Sequence, residues 1–184
     1  MIRLPLLFAF TLTATSTLAT ASETRQADAH EHGHGQLTIA IAGAEVEMEI
    51  EIPGMDIVGF EHAPETDAQH KAFDAGKAKL TEGDSLFSVV GEAGCALKET
   101  HFHEEEDHDH DHDKKSSEAE HDEEHMEFHV SYHFSCEDTA KISGFSFPFF
   151  KHFPNSEELD VQIVSPKGQF QFEVSPDEPA LTLN

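Results

Sequence analysis

Apolar and polar residues alternate along several segments of the chain, which is the pattern of β-strands with one buried face. The pattern is clearest in two neighbouring runs, where apolar side chains alternate with small or polar ones at Leu37, Ile39 and Ile41 and with glutamates at Val46, Met48, Ile50 and Ile52. Because the alternation breaks at Ala42-Gly43-Ala44, these runs predict a β-hairpin.

The same alternation returns in the second half of the chain. Between Met126 and Phe134, every second residue is Met, Phe, Val, Tyr or Phe. Two further runs, "LDVQIV" and "QFQFEV", flank a predicted turn at Ser165–Gly168. Leu86–Val90 predicts a short strand, another strand is expected to begin at Cys95, and the phenylalanine-rich "ISGFSFPFFKHFP" predicts core.

One segment has helical signals instead. Thr66 and Gln69 form a capping-box pattern, and Gln69, Phe73, Gly76 and Leu80 share one helical stripe. A helix is therefore predicted from Thr66 to about Leu80, whereas the preceding "PGMDIVGFEHAP" is interpreted as a loop or irregular strand. The predicted fold is mainly β (α+β), a single domain of antiparallel sheet with one main helix. Similarity between "VGFEHAP" and "PFFKHFP" leaves open two related half-sheets.

The amino terminus predicts export. Met1–Ala21 has one positive charge at Arg3, an apolar run at Leu4–Phe10 and an Ala19-Thr20-Ala21 cleavage site, which together are typical of a secretory signal peptide. The apolar run is too short for a membrane anchor, which needs ~20 residues. Residues 22–184 are expected to form one soluble domain.

The charge of the chain is strongly negative and unevenly placed. There are 37 acidic and 11 basic residues, which disfavours nucleic acid and anionic membranes and favours cations as partners. Between Glu99 and Glu127 lie 14 acidic residues and seven histidines. Such a segment has no apolar face, so a disordered insert is predicted at about residues 99–126.

Imidazole and carboxylate groups are good ligands for borderline divalent ions, with Zn²⁺ the leading choice. A solvated spacer is the alternative interpretation of the insert, but a spacer gains nothing from imidazole. The predicted metal ligands of the insert are His101, His103, His108, His110, His112, His121 and His125. A second predicted cluster near the mature amino terminus comprises His30, His32 and His34.

Single histidines elsewhere are weaker candidates, since a lone histidine more often has a structural role. His62 and His152 are predicted metal ligands because they occupy matched positions in the two similar segments, and a shared site completed by a carboxylate such as Glu61 is one hypothesis. His70, His129 and His133 stay open. No catalytic residues are predicted, because no nucleophile, zinc-protease or phosphate-binding motif occurs.

The chain has two cysteines, Cys95 and Cys136, which flank the insert. An even cysteine count in an exported protein predicts a disulfide, with two buried thiols as the alternative. The bridge would close a loop of about 40 residues, worth roughly 4 kcal/mol on the chain-entropy argument.

Several motifs together resemble a known family. "HEHGHGQLTIAIAG", "IVGFEHAPETDAQHKAF", the two cysteines around a His-rich insert and "FFKHFP" before a strand hairpin are similar to the ZrgA family. The resemblance implies a periplasmic zinc-binding protein that assists an ABC-type zinc importer. It implies zinc contacts in the "HGHG", "GFEH" and insert regions.

Three functions remain open at this point. The leading hypothesis is zinc capture on flexible segments for uptake. The alternatives are a periplasmic zinc buffer or metal-resistance protein without a transport partner, and a metal or pH sensor, since histidines titrate near neutrality. The substrate-binding protein of an importer is disfavoured, because one mainly-β domain cannot form two lobes around a cleft.

Overall fold

A computed structural model describes residues 32–103 and 125–183. The strands in these ranges are β1 (His34–Ala42), β2 (Glu45–Pro53), β3 (Ser88–Gly91), β4 (Ala96–His103), β5 (Glu127–Ser135), β6 (Ile142–Ser146), β7 (Glu158–Ser165), β8 (Gly168–Val174) and β9 (Ala180–Thr182). The helices are α1 (Gly54–Val58), α2 (Asp67–Leu80), α3 (Gly83–Leu86) and α4 (Phe149–His152), with a 3-10 turn at Thr139–Lys141. The predicted mainly-β fold is confirmed.

The described strands form a six-stranded sheet in the order β4-β5-β2-β1-β7-β8 and a three-stranded sheet in the order β3-β6-β9. Both predicted hairpins, β1–β2 and β7–β8, are present. Every neighbouring pair is antiparallel except β1 and β7, which run parallel. The sheets are therefore unequal in size.

The apolar positions of the alternating runs cover one face of the larger sheet. They are buried on β1, β2, β5 and β7, while the intervening glutamates and histidines face outward. The phenylalanine-rich segment packs on the buried side, where the rings of Phe149 and Phe87 stack at 5.9 Å and Phe87 lies 5.2 Å from Tyr132. The predicted core role of this segment is confirmed.

Helix α2 begins as its sequence predicts. The Gln69 N–H donates to Thr66 Oγ1, and Gln69 Oε1 accepts from the Thr66 N–H, so the capping box is complete. Gly76 and Leu80 are buried, as expected for the inward stripe. The Tyr132 hydroxyl donates to the Leu80 carbonyl at 2.9 Å and joins the end of the helix to the sheet.

Two short segments were predicted wrongly. "GMDIV" forms helix α1, not a loop or irregular strand, and the predicted strand Leu86–Val90 begins only at Ser88 because Leu86 ends helix α3. Periodicity cannot separate helix from strand over four or five residues. Here tertiary packing decides, since both helices place buried residues against the sheet.

The two strands that flank the insert, β4 and β5, are paired with each other and joined by a disulfide. Cys95 and Cys136 form the predicted disulfide, immediately outside the paired residues Ala96 and Ser135 of β4 and β5. Strand β4 continues to His103, so the residues from Glu99 to His103 are strand.

The predicted signal peptide and most of the predicted insert lie outside the described residues. No helix within the described ranges is long and apolar enough to cross a bilayer.

Candidate metal site

Glu61 occupies a position fixed by backbone pairing. Helix α1 ends at Val58 and is capped by Gly59, whose positive φ of 83° turns the chain toward Glu61. The Glu61 carbonyl accepts from the Met126 N–H at 2.7 Å, and the Met126 carbonyl accepts from the Gly54 N–H at 2.7 Å. Gly54 permits this approach because a Cβ there would lie only 2.7 Å from the Phe60 carbonyl oxygen. The chain that enters β5 is thus attached directly beside Glu61.

Two histidines from the two His-rich regions contact this one carboxylate. His32 Nε2 lies 2.9 Å from Glu61 Oε1, and His125 Nδ1 lies 2.8 Å from Glu61 Oε2. The carboxylate is 11% exposed, whereas His32 and His125 are more than half exposed. The carboxylate is therefore a largely buried group on the fold that is contacted by two exposed imidazoles. We call His32, Glu61 and His125 the Glu61 cluster.

A second carboxylate lies beneath the cluster. Asp56 is 1% exposed, and its Oδ1 accepts from the Gly33 N–H at 2.9 Å. Burial raises the pKa of Asp56, the Gly33 amide, Ser156 and His32 act to lower it, and Glu61 acts to raise it further. The Ser156 hydroxyl is close enough to affect this pKa, but neither it nor Asp56 Oδ2 has an aligned hydrogen-bond partner among the described residues.

Gly33 connects the amino-terminal histidines to this carboxylate. Its φ is +86°, in the region that favours glycine, and its carbonyl accepts from the N–H groups of Glu157 and Glu158 at 2.7 and 2.9 Å. A Cβ at Gly33 would also lie 3.1 Å from the Glu157 side chain. The "HGHG" sequence is thus held against β7 with His32 directed to Glu61.

Two imidazoles over two carboxylates match the ligand preference of Zn²⁺. Although His32 Nε2 and Glu61 Oε1 are only 2.9 Å apart, Glu61 Oε1 has no aligned hydrogen bond within the described part of the chain. Two ligands of a tetrahedral zinc ion lie about 3.3 Å apart, so a small outward movement would fit an ion between them. Over residues 32–103 and 125–183, no three ligand residues are already gathered around one point.

Comparison with protein families identifies the family of this chain. The profile of the family described as "ZrgA family zinc uptake protein" matches residues 29–183. The chain belongs to the ZrgA family. No curated protein matches the sequence. The matched range spans "HGHG", "GFEH" and the insert, so the three parts of the chain that supply or flank the Glu61 cluster all lie within the family region.

The remaining predicted ligands have varied surroundings. His34 Nδ1 lies 3.4 Å from Glu158, whereas His101 and His103 are on strand β4. The predicted ligands that lie outside the described residues are His30, His108, His110, His112 and His121.

The hypothesis of a site shared by His62 and His152 is not supported by their surroundings. His62 Nδ1 donates to the Ala63 carbonyl at 2.8 Å, so Nε2 accepts from the Gln69 amide at 3.3 Å. His62 thus supports the first turn of α2. The pKa of Glu82 is lowered chiefly by Lys79 and to a smaller degree by His152, which places His152 near the other end of α2. The eleven residue-to-residue steps of helix from Gln69 to Leu80 span about 16 Å.

Asp56 was not predicted as a functional residue, although the sequence contains a signal for it. It is the only charged residue between Pro53 and Phe60, a segment otherwise made of apolar residues, glycine and proline. A charged side chain in such a segment is either exposed on a loop or buried with a structural partner or a functional role. The loop interpretation hid the second alternative.

Asp56→Asn tests whether the buried carboxylate serves the metal site at the expense of stability. Asparagine keeps the acceptor for the Gly33 N–H and removes the buried charge, so we expect zinc-free protein to gain about 1 kcal/mol in unfolding free energy at neutral pH. Zinc affinity should fall about tenfold, as for other groups behind a metal ligand. Urea unfolding with chelator and zinc calorimetry measure the two effects.

The same variant has a defined pH dependence. Because the pKa of Asp56 is raised above 3.8 in the folded state, folding favours the protonated carboxyl, and ionisation destabilises the fold as pH rises through the folded-state pKa. The stability difference between wild type and Asp56→Asn should therefore be small near pH 3.8 and widen toward neutrality. A difference that is constant over this range would contradict the assignment.

Proposed function

We propose that this ZrgA-family protein captures Zn²⁺ in the periplasm and delivers it to an ABC-type zinc importer. The observation that supports this best is the contact of Glu61 with His32 and His125. His32 belongs to the amino-terminal histidine cluster and His125 to the end of the insert, so residues of the two His-rich regions meet at one largely buried carboxylate. Ions collected on the other histidines and carboxylates of these two regions would then pass to this cluster.

We call the insert the collector, because in this proposal it binds ions first and passes them to the Glu61 cluster. Conformational entropy gives the two different affinities. The insert is predicted from its sequence to be disordered, and ligands on such a segment would lose conformational freedom when they bind, which lowers affinity per ion. Glu61, in contrast, is held by backbone pairing before any ion arrives. We infer that the insert binds several ions weakly and the Glu61 cluster binds one more tightly. A gradient of affinity in this direction would move zinc from the insert to the fold.

Deletion of residues 104–124 tests the collector. The ends of this deletion are chosen because Phe102 pairs with Val130 and His125 contacts Glu61, so both must remain. A Gly/Ser linker of four residues would close β4 onto β5. We expect most of the bound zinc to be lost while the tightest binding phase and the thermal midpoint are retained, as measured by calorimetry and circular dichroism.

The matched control replaces every histidine and acidic residue of 104–124 by serine or asparagine at unchanged length. If the control retains the zinc that the deletion loses, the ligand chemistry of the insert is not responsible. If both variants bind as many ions as the wild type, the insert is a spacer and the collector model is wrong.

An experiment in cells distinguishes a role in zinc uptake from a role in zinc buffering. Initial rates of ⁶⁵Zn uptake at limiting zinc should fall when the protein is absent and recover with wild-type protein but not with Glu61→Gln. A buffer without a transport partner predicts unchanged uptake rates and reduced growth only at excess zinc. Unchanged uptake in the absence of the protein would therefore overturn the proposal.

A further inference from the structure

The outward side of β2, β4 and β5 presents a second set of imidazole and carboxylate side chains. We call it the outer ligand face. Strand periodicity places its side chains on the side opposite to the core. Its members are Glu47, Glu49 and Glu51 on β2, Glu99, His101 and His103 on β4, and Glu127, His129 and His133 on β5, with the buried Ser131 between the last two. The described parts of these three strands contain one lysine, Lys98, which is exposed at the β-bulge beside Glu99, and no arginine.

The strand register aligns these residues in rows across the sheet. One row contains His103, His129 and Glu51, the next contains His101, Ser131 and Glu49, and the third contains Glu99, His133 and Glu47. Side chains at directly opposed positions have Cβ atoms about 5 Å apart, which is within reach of a shared ion. In each row β5 lies between β4 and β2.

Four of these side chains form a connected group at the end of the face nearest the disulfide. His101 Nε2 lies 3.0 Å from Glu99, and His133 Nε2 lies 3.6 Å from Glu47. The imidazole rings of His101 and His133 are in contact edge to face, with centroids 5.8 Å apart. The group therefore contains two imidazoles and two carboxylates on three paired strands.

We propose that Glu47, Glu99, His101 and His133 bind a second Zn²⁺ ion on the outer ligand face. Two nitrogen and two oxygen ligands suit tetrahedral zinc. All four side chains are between 42% and 61% exposed, so ring and carboxylate rotations that gather them around an ion meet little steric resistance. The strands fix the Cα positions, so only side-chain freedom is lost on binding.

This ion would be separate from the one at the Glu61 cluster. His125 and His133 are eight residues apart along an extended chain, which corresponds to about 27 Å. No ligand can serve both ions over that distance. Because its ligands are more exposed than Glu61, the second site should bind more weakly and exchange faster. The choice of Zn²⁺ rests on the proposed function, whereas the ligand geometry does not.

Zinc calorimetry on the full-length mature protein tests the site. In His101→Asn/His133→Asn we expect the loss of one bound ion per chain and retention of the tightest phase. The matched control is His70→Asn/His152→Asn, which also removes two exposed histidines, near opposite ends of α2 where they cannot share an ion. The inference is overturned if the first variant binds as much zinc as the control.

A measurement on unmodified protein makes the test independent of variant folding. Zinc should protect His101 and His133 from diethyl pyrocarbonate, read by mass spectrometry, at concentrations above those that protect His32 and His125. If zinc leaves His101 and His133 fully reactive, the second site does not exist.

Glu61→Gln separates this inference from the proposed function. Loss of the tight phase in Glu61→Gln, together with no loss in His101→Asn/His133→Asn, would support the Glu61 cluster and overturn the second site. The reverse pattern would support the outer ligand face and overturn the Glu61 cluster.

Discussion

Glu61→Gln should abolish the tightest zinc-binding phase. Glutamine has nearly the same shape as glutamate and leaves the backbone hydrogen bond to Met126 intact, but it removes the negative charge shared by His32 and His125. A neutral amide is a poor zinc ligand, so we expect affinity at this site to fall at least about tenfold, and more if the carboxylate contacts the ion directly. Calorimetry against a competing chelator measures the tight phase.

Glu65→Gln is the matched control for that experiment. Glu65 is exposed and lies four residues further along the same loop, and its backbone rather than its carboxylate bonds to Gln69. Its substitution changes net charge by the same amount, so any general electrostatic effect on zinc appears in both variants. A tight phase that survives Glu61→Gln, or that falls equally in Glu65→Gln, would contradict the assignment of the site.

Removal of the disulfide should cause the largest loss of stability of any substitution discussed. Cys95 and Cys136 are 41 residues apart in sequence, and a closed loop of this size is worth about 4 kcal/mol by restricting the unfolded chain. We expect Cys95→Ser/Cys136→Ser to lose about 2–5 kcal/mol of unfolding free energy, measured by urea denaturation with chelator. An effect below about 0.5 kcal/mol would show that the bridge is redundant with strand pairing.

The chain without residues 104–124 is an internal control for this effect. Deleting 21 residues and adding a four-residue linker shortens the closed loop by 17 residues. The entropic worth of the bridge should then fall by only about 0.5 kcal/mol. A much larger decrease would mean that the disulfide stabilises the folded state by some means other than loop closure.

The sequence predicts the elements whose signals are local. The alternation in β1, β2, β5, β7 and β8, the Thr66 capping box and the pairing of the two cysteines each follow from a simple sequence signal, and each is present. Local signals do not predict the order of the strands in the sheet, because this order depends on long-range packing. Nothing local indicates that β1 pairs with β7 in parallel, or that β5 lies between β4 and β2.

The candidate site was only partly accessible to sequence analysis. Ligand chemistry and the regions "HGHG", "GFEH" and the insert could be named, but their meeting at Glu61 depends on the attachment of Met126 beside α1. His62 was ranked above other single histidines by motif similarity, yet its ring nitrogens are engaged by Ala63 and Gln69. The outer ligand face needed the register, since His101 and His133 are far apart in sequence.

The disulfide and the strand pairing also determine how freely the insert can vary in evolution. The insert joins two neighbouring antiparallel strands whose opposite ends are covalently tied, so its length has little influence on the rest of the fold. Doubling the length of such a connection costs only about 0.6 kcal/mol. Evolution can therefore lengthen, shorten or rewrite the segment with few penalties, and a designer could replace it with a reporter sequence at the same two attachment points.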